Sequence, residues 1–150
     1  MKIFIDADGC PVVDITLNLS RKHHIACVIV CDTAHQFWID DVEVITVDKG
    51  SDSADYAIAN RVAPHDLVIT QDFGLASMCL ARGARILHQD GWEYTQDNID
   101  ALLLQRHESF QYRASGKRLK GPKKRTCAQD IAFQAALQTI LQGYMSCGNL

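Results

Sequence analysis

Aspartates recur in this sequence where apolar runs end. Asp6 and Asp8 close Ile3-Phe4-Ile5-Asp6-Ala7-Asp8, Asp52 and Asp55 sit in Ser51-Asp52-Ser53-Ala54-Asp55, and Asp72 ends Thr70-Gln71-Asp72. Carboxylates gathered without nearby cations repel one another and are held protonated to higher pH, which costs stability unless a bound cation compensates. All-oxygen donors suit Mg²⁺ or Mn²⁺ rather than zinc, and Mg²⁺ commonly takes one or two protein carboxylates together with waters and substrate phosphate. An ion held in this way lowers the pKa of a bound water and neutralises charge on a phosphoryl oxygen, so phosphodiester hydrolysis is the chemistry such a cluster suits.

The individual aspartates carry different weight. Asp6 and Asp72 each follow an apolar strand-like run, where a carboxylate is partly desolvated, and are the strongest site candidates. Asp55 joins them, on the same side of a helix as Asp52. Asp52 itself reads equally as an N-cap or a ligand, and Asp8 equally as a cap for the helix after Pro11, an Asx turn or a site residue. Asp48 reads as a solvated loop residue, and Asp90, Asp97, Asp100 and Asp130 as turn or helix-start residues whose charge complements the helix dipole. Ser51, Ser53, Thr70 and Gln71 stand beside the cluster and could position water or phosphate.

The elements that must deliver these residues follow an α/β rhythm. Strand-like runs at Lys2 to Asp6, Ala26 to Cys31, Val42 to Val47, Leu67 to Thr70 and Arg85 to Leu87 alternate with helical patterns at Pro11 to Ser20, Ser53 to Val62 and Leu75 to Arg82, the last stopped by Gly83. The stripe expected on the second of these helices is Ala54, Tyr56, Ala57, Ile58 and Val62. Ala26 to Val30 and Leu67 to Ile69 are continuously apolar, as strands covered on both faces are, which favours a mainly parallel sheet in a Rossmann-like three-layer α/β/α sandwich. In such sheets ligands sit beyond the carboxyl ends of the strands, and that is where the aspartates fall. A peripheral helix is expected from Thr95 to Arg106, carrying Ile99, Leu102, Leu103 and Leu104. A long terminal helix is expected from about Thr126, capped with Gln129 and burying Ile131, Phe133, Leu137, Ile140, Leu141 and Tyr144. Residues 1–150 are expected to form a single domain.

Between the last two helices, Tyr112 to Arg125 holds Arg113, Lys117, Arg118, Lys120, Lys123, Lys124 and Arg125 with Gly116, Gly121 and Pro122, and reads as a mobile basic loop. Arg118, Lys120, Lys123 and Lys124 are its expected contacts to a nucleic-acid backbone, with Tyr112 a candidate for base stacking. The formal charge of -3 supplies no global attraction to polyanions, so a nucleic acid would have to be held locally.

Other chemistries lack their residues. The six cysteines form no Cys-x-x-Cys pair or secreted disulfide framework and are expected as reduced thiols. His23, His24, His35, His65, His88 and His107 show no metal-ligand spacing and read as surface or structural residues. Phosphate-cradling glycine loops and a nucleophile with a recognisable histidine partner are both missing. No basic region and apolar stretch of the secretory kind follows Met1, and no run reaches the ~18 apolar residues of a membrane span. A soluble, cytoplasmic protein without membrane partners is expected.

The runs Asp6-Ala7-Asp8-Gly9-Cys10-Pro11-Val12, Ser51 to Asp55 and Thr70-Gln71-Asp72-Phe73-Gly74-Leu75-Ala76 resemble those of the bacterial YaiI/YqxD family. So do Asn98-Ile99-Asp100, Arg106, Gly121-Pro122 and the stretch from Thr126 through Asp130 and Phe133. That family in turn looks like a branch of the PIN-like nucleases, with acidic residues at the end of the first strand, on a middle helix and after a Thr-x-Asp strand. Asp6, Asp55 and Asp72 match those places. The resemblance implies an endoribonuclease-like hydrolase using Mg²⁺ or Mn²⁺, with RNA as the expected substrate and DNA as the alternative. A later acidic residue of many PIN nucleases has no counterpart after Asp72, and Asp8 or Asp52 would assist instead. Two other readings compete. One is a non-catalytic RNA- or protein-binding module with a vestigial acidic pocket. The other is a haloacid-dehalogenase-like phosphatase, with Asp6 attacking phosphate and Asp8 as acid.

Overall fold

The computed structural model describes residues 1–32, 39–50, 52–121 and 123–148. In chain order the elements are β1 (Ile3–Asp6), α1 (Val13–Lys22), β2 (Cys27–Asp32), β3 (Glu43–Val47), α2 (Ser53–Arg61), β4 (Leu67–Ile69), α3 (Phe73–Ala81), β5 (Arg85–Leu87), β6 (Glu93–Tyr94), α4 (Gln96–Ala114) and α5 (Cys127–Gly148). His35, Ser51 and Pro122 lie outside the described residues.

The strands form a six-stranded sheet in the order β3-β2-β1-β4-β5-β6, parallel throughout except for the final β5–β6 pair. The sequence reading lacks β6, whose two residues are too short for any periodicity to show. The alternation of side chains splits the core in two. Ile3, Ile5, Ile29, Leu67 and Ile69 face α1 and α5, meeting Leu17, Phe133, Leu137 and Leu141, whereas Phe4, Val28, Val30, Val68 and Ile86 face α2, α3 and α4, meeting Ile58, Leu75, Cys79 and Ile99. This is the expected three-layer α/β/α arrangement. Each fully buried Ile, Leu or Phe contributes roughly 1.5–3 kcal/mol, and the central strands bury both faces, which fixes β1 and β4 firmly side by side.

Several boundaries and faces differ from the expectation. Pro11 precedes α1 rather than opening it, because the helix begins only after Val12. α4 is much longer than expected and carries on to Ala114, taking in residues 112–114 of the expected basic loop: the segment after Arg106 has neither Gly nor Pro until Gly116, which adopts a φ of +83°. Its start is fixed by a capping box, in which Thr95 Oγ1 accepts from the Asn98 N–H and Asn98 Oδ1 accepts from the Thr95 N–H. Ahead of α5, Gln129 reaches back to accept from the Thr126 N–H at 2.7 Å, as the spacing suggests. The apolar stripes are narrower than read: Tyr56 is 58 %, Leu104 58 % and Ile131 68 % exposed, since each points away from the face its helix turns to the sheet. Tyr144 is also exposed, and its hydroxyl accepts from the amino terminus of Met1.

Candidate active site

The order of strands reverses between β1 and β4. β1 leads to β2 on one side, and β4 begins the run outward on the other, so the loops after β1 and β4 part and leave a crevice at their carboxyl ends. Asp6 is the last residue of β1. The buried Thr70, just after β4, donates its hydroxyl to Asp6 Oδ2 at 2.8 Å and accepts the Asp72 N–H at 3.0 Å. Asp72 in turn caps α3, its Oδ1 accepting from the Leu75 N–H at 3.0 Å. One hydroxyl therefore ties together the segments carrying two of the acidic residues.

Asp8 stands across from the end of β2, with both carboxylate oxygens within hydrogen-bond reach of the Asp32 N–H, at 3.0 and 3.2 Å. Asp52 occupies the N-cap position of α2 in a left-handed conformation, yet its side chain makes no cap bond. Of the two roles open to it, side-chain capping is ruled out. Asp55 lies in the first turn of the same helix.

All five of these aspartates line one open cleft of about 460 Å³, which Asp32, Gln71, Phe73 and Arg106 also border. Burial, with Asp72 and Asp8 adding repulsion against the opposing Thr70 hydrogen bond, pushes the Asp6 carboxyl up to about 6. Asp55 also rises to about 6, through burial first and then the charges of Asp72, Asp6 and Asp52, partly offset by Arg106. Acidic groups on separate elements thus share one field, as the sequence suggests.

The lining donors are hard carboxylate oxygens with no thiolate or imidazole among the described residues, a set that fits Mg²⁺ or Mn²⁺ and not zinc. Among the described residues no three His, Cys, Asp or Glu side chains close into a metal cage. A divalent ion here would therefore take one or two direct protein ligands and otherwise water.

None of the expected backbone contacts Arg118, Lys120, Lys123 and Lys124 borders this cleft; all four are exposed on the loop beyond α4. Tyr112 lies on α4 beneath the Lys117 ammonium, 5.3 Å from its ring centroid. Arg125 is structural instead of mobile: its guanidinium donates to Asp130, Asp90 and the Gln89 carbonyl, each at 2.8 Å. Asp90 is accordingly more than a turn residue, because it receives Arg125 from just ahead of α5 and Gln129 from its first turn. His88 stacks on Trp92 at 4.3 Å, a packing role, and burial lowers its pKa. The cysteines are free thiols, as expected; burial pushes Cys79 up to about 12, far from a reactive thiolate.

Three lining residues have no assigned role in the sequence reading. Asp32 ends the apolar run of β2 as Asp6 ends β1, so the signal that singled out Asp6 was there to find it. Arg106 lies eight residues before the end of a helix whose length the sequence pattern understated. Phe73, which directly follows Asp72, is only partly buried and forms a wall of the cleft.

A Rossmann-type sheet with an acidic cleft at its switch point defines the class of this molecule. The chain belongs to the YaiI/YqxD family: residues 4–143 match the model described as "Uncharacterized BCR, YaiI/YqxD family". It is 50 % identical over 141 residues to a UPF0178 protein of Exiguobacterium sibiricum, covering 94 % of this chain and 96 % of that one. It is 46 % identical over 137 residues to a UPF0178 protein of Alkaliphilus oremlandii, covering 91 % and 88 %. A third UPF0178 protein, from Lachnoclostridium phytofermentans, is 40 % identical over 149 residues, covering 97 % and 100 %. No solved structure matches the chain significantly. Among the described residues no helix is long and apolar enough to cross a membrane.

Proposed function

We propose that this protein is a Mg²⁺- or Mn²⁺-dependent nuclease of the PIN-like kind, a cytoplasmic single-domain hydrolase that cleaves phosphodiester bonds in RNA. The observation that carries the reading is the convergence of Asp6, Asp8, Asp52, Asp55 and Asp72 on one open cleft at the switch point of the sheet. In this reading Asp6, Asp55 and Asp72 share the ion, one or two of them directly and the rest through its bound waters, with Asp8 and Asp52 assisting. When bound, a divalent ion supplies a water of lowered pKa and neutralises charge on the phosphoryl oxygens. Asp6 and Asp55, whose carboxyls burial and neighbouring charge push up to about 6, gain from a bound cation that offsets that repulsion. Arg106 is the cation at the cleft and suits a phosphate oxygen of the bound strand. Arg118, Lys120, Lys123 and Lys124 add salt-sensitive attraction from the flank.

The phosphatase reading needs Asp8 as an acid facing the phosphate on Asp6. Asp8 is instead turned to the backbone N–H of Asp32, with both carboxylate oxygens engaged there. Cleavage of end-labelled single-stranded RNA, structured RNA and single-stranded DNA, in Mg²⁺, Mn²⁺ or EDTA, tests the proposal against Asp6→Asn and Asp72→Asn. Metal-dependent cleavage lost in both folded variants is the expected result. Calorimetric Mn²⁺ binding gives a second readout, and it should weaken in both. Binding of RNA with no cleavage by the wild type would favour the non-catalytic module.

A further inference from the structure

Beside the acidic cleft, and sharing Phe73 and Arg106 with it, runs a second groove of about 470 Å³ along α4. Its far end is made by Phe110 and Arg113. Arg106, Phe110 and Arg113 stand four and three residues apart, the spacing that keeps side chains on one face of a helix. Phe110 is 70 % exposed, a large apolar ring left in water between two guanidinium groups. Among the described residues neither arginine has a carboxylate within ion-pair distance, and no acidic side chain lines this groove.

We propose that this groove binds a single-stranded polynucleotide and leads it into the acidic cleft, with Phe110 stacking on a base and Arg106 and Arg113 holding the flanking phosphates. The inference rests on the nuclease reading of the cleft, whose substrate path it supplies. A strand of negative charge cannot approach five aspartates unaided, and the shared wall of Phe73 and Arg106 puts a cation where the two spaces join. Stacking needs a base face that a duplex keeps covered, so an exposed ring between cations selects unpaired strands. A peptide or a second copy of the chain would use the ring but has no need of two unpaired guanidinium groups.

The test is fluorescence anisotropy of a short labelled single-stranded RNA in EDTA, where the proposed cleavage is silent, with its duplex form as the comparison. Phe110→Ala should weaken single-strand binding about tenfold, and Phe110→Trp should restore it. Arg113→Gln should lower the salt dependence of binding by about one phosphate contact, and duplex binding should change little in any variant. Phe110 and Arg113 are exposed, so the variants keep the fold, which circular dichroism checks. Wild-type single-strand affinity in both Phe110→Ala and Arg113→Gln would overturn the proposal, as would equal losses on duplex and single strand. The two readings separate cleanly. Single-strand binding that depends on Phe110, in a protein that cleaves nothing, supports the groove while the nuclease reading falls; cleavage that requires Asp6, with binding indifferent to Phe110, does the reverse.

Discussion

The Thr70 hydroxyl donates to the Asp6 carboxylate at 2.8 Å across 64 residues of chain, and the same oxygen accepts the backbone N–H of Asp72. It joins the ends of β1 and β4 where the sheet opens. Because the bond stabilises the charged carboxylate, it restrains the rise of the Asp6 pKa. Thr70→Val should therefore push that carboxyl further up, and leave the Asp72 N–H without its partner at a cost of about 1–3 kcal/mol. Carboxyl-carbon NMR titration and urea denaturation measure the two effects, and Thr70→Ser should rescue both. An unchanged Asp6 titration in Thr70→Val would contradict the coupling.

The acidic cleft should make stability depend on pH in a definite sense. Burial and the neighbouring carboxylates push Asp6 and Asp55 up to about 6 in the folded protein from an ordinary value of 3.8, so between those values the folded state binds more protons than the unfolded one. Their contribution is most favourable below about pH 4 and is lost as pH rises through 6. For Asp6 the full loss is at most about 3 kcal/mol, and less to the extent that the carboxylate reaches solvent in the open cleft. Asp6→Asn should accordingly be more stable than wild type in EDTA at pH 7, with the difference vanishing near pH 4. Thermal unfolding across that range checks the trend, and a wild type at least as stable as Asp6→Asn at pH 7 would refute it. On the metal proposal, Mn²⁺ should raise the wild-type Tm more than that of the variant.

Gly74 gives a way to disturb Asp72 without touching its charge. A Cβ at position 74 would stand 3.1 Å from Asp72 Oδ1 and 3.8 Å from Arg106 Nη1. Alanine favours a helix over glycine by about 1 kcal/mol, which roughly offsets a weakened Asp72 cap on α3, so Gly74→Ala should leave stability nearly unchanged. The displaced carboxylate should nevertheless cost several-fold in Mn²⁺ affinity and in cleavage. Denaturant titration beside calorimetry distinguishes this split from a general loss of structure; an unaltered Mn²⁺ affinity would remove Asp72 from the proposed ligands.

Gly91 tests the seat of α5. It adopts a φ of +92°, and a Cβ there would meet the backbone of Ala132 at 2.7 Å and the Phe133 nitrogen at 2.9 Å. Helix backbone cannot yield as a side-chain tip can. Gly91→Ala should cost about 2–4 kcal/mol, adding left-handed strain to the forced separation of α5 from the β5–β6 turn. Urea unfolding measures it, and a loss below about 1 kcal/mol would mean that α5 shifts without penalty.

The sheet was readable because its central strands are continuous apolar runs, whose ends alone moved by a residue. Asp6, Asp55 and Asp72 group in the sequence because strand ends and a first helical turn put them on one rim of a parallel sheet. What escaped depended on packing between distant elements. Arg106 reaches the cleft only because α4 lies against α3, which no local pattern records. Arg125 was counted with the loop because its partners Gln89 and Asp90 come from a turn more than thirty residues earlier. Ile131 and Tyr56 obey helical spacing yet lie just off the buried arc, whose width is set by the neighbours and not by the helix itself.

The three-way grip of Arg125 changes what the lysine-rich stretch before it can be. With α4 ending at Ala114 and the chain held again at Arg125, the residues between are tethered at both ends by chain connectivity alone. Ten residues between fixed points keep the backbone within about 20 Å of the nearer anchor whatever shape they take, and each basic side chain adds its own length to that reach. The cations are thus tethered to the end of α4 and to Arg125, and their local concentration about those points is set by chain length instead of by chance encounter, as for any tethered ligand.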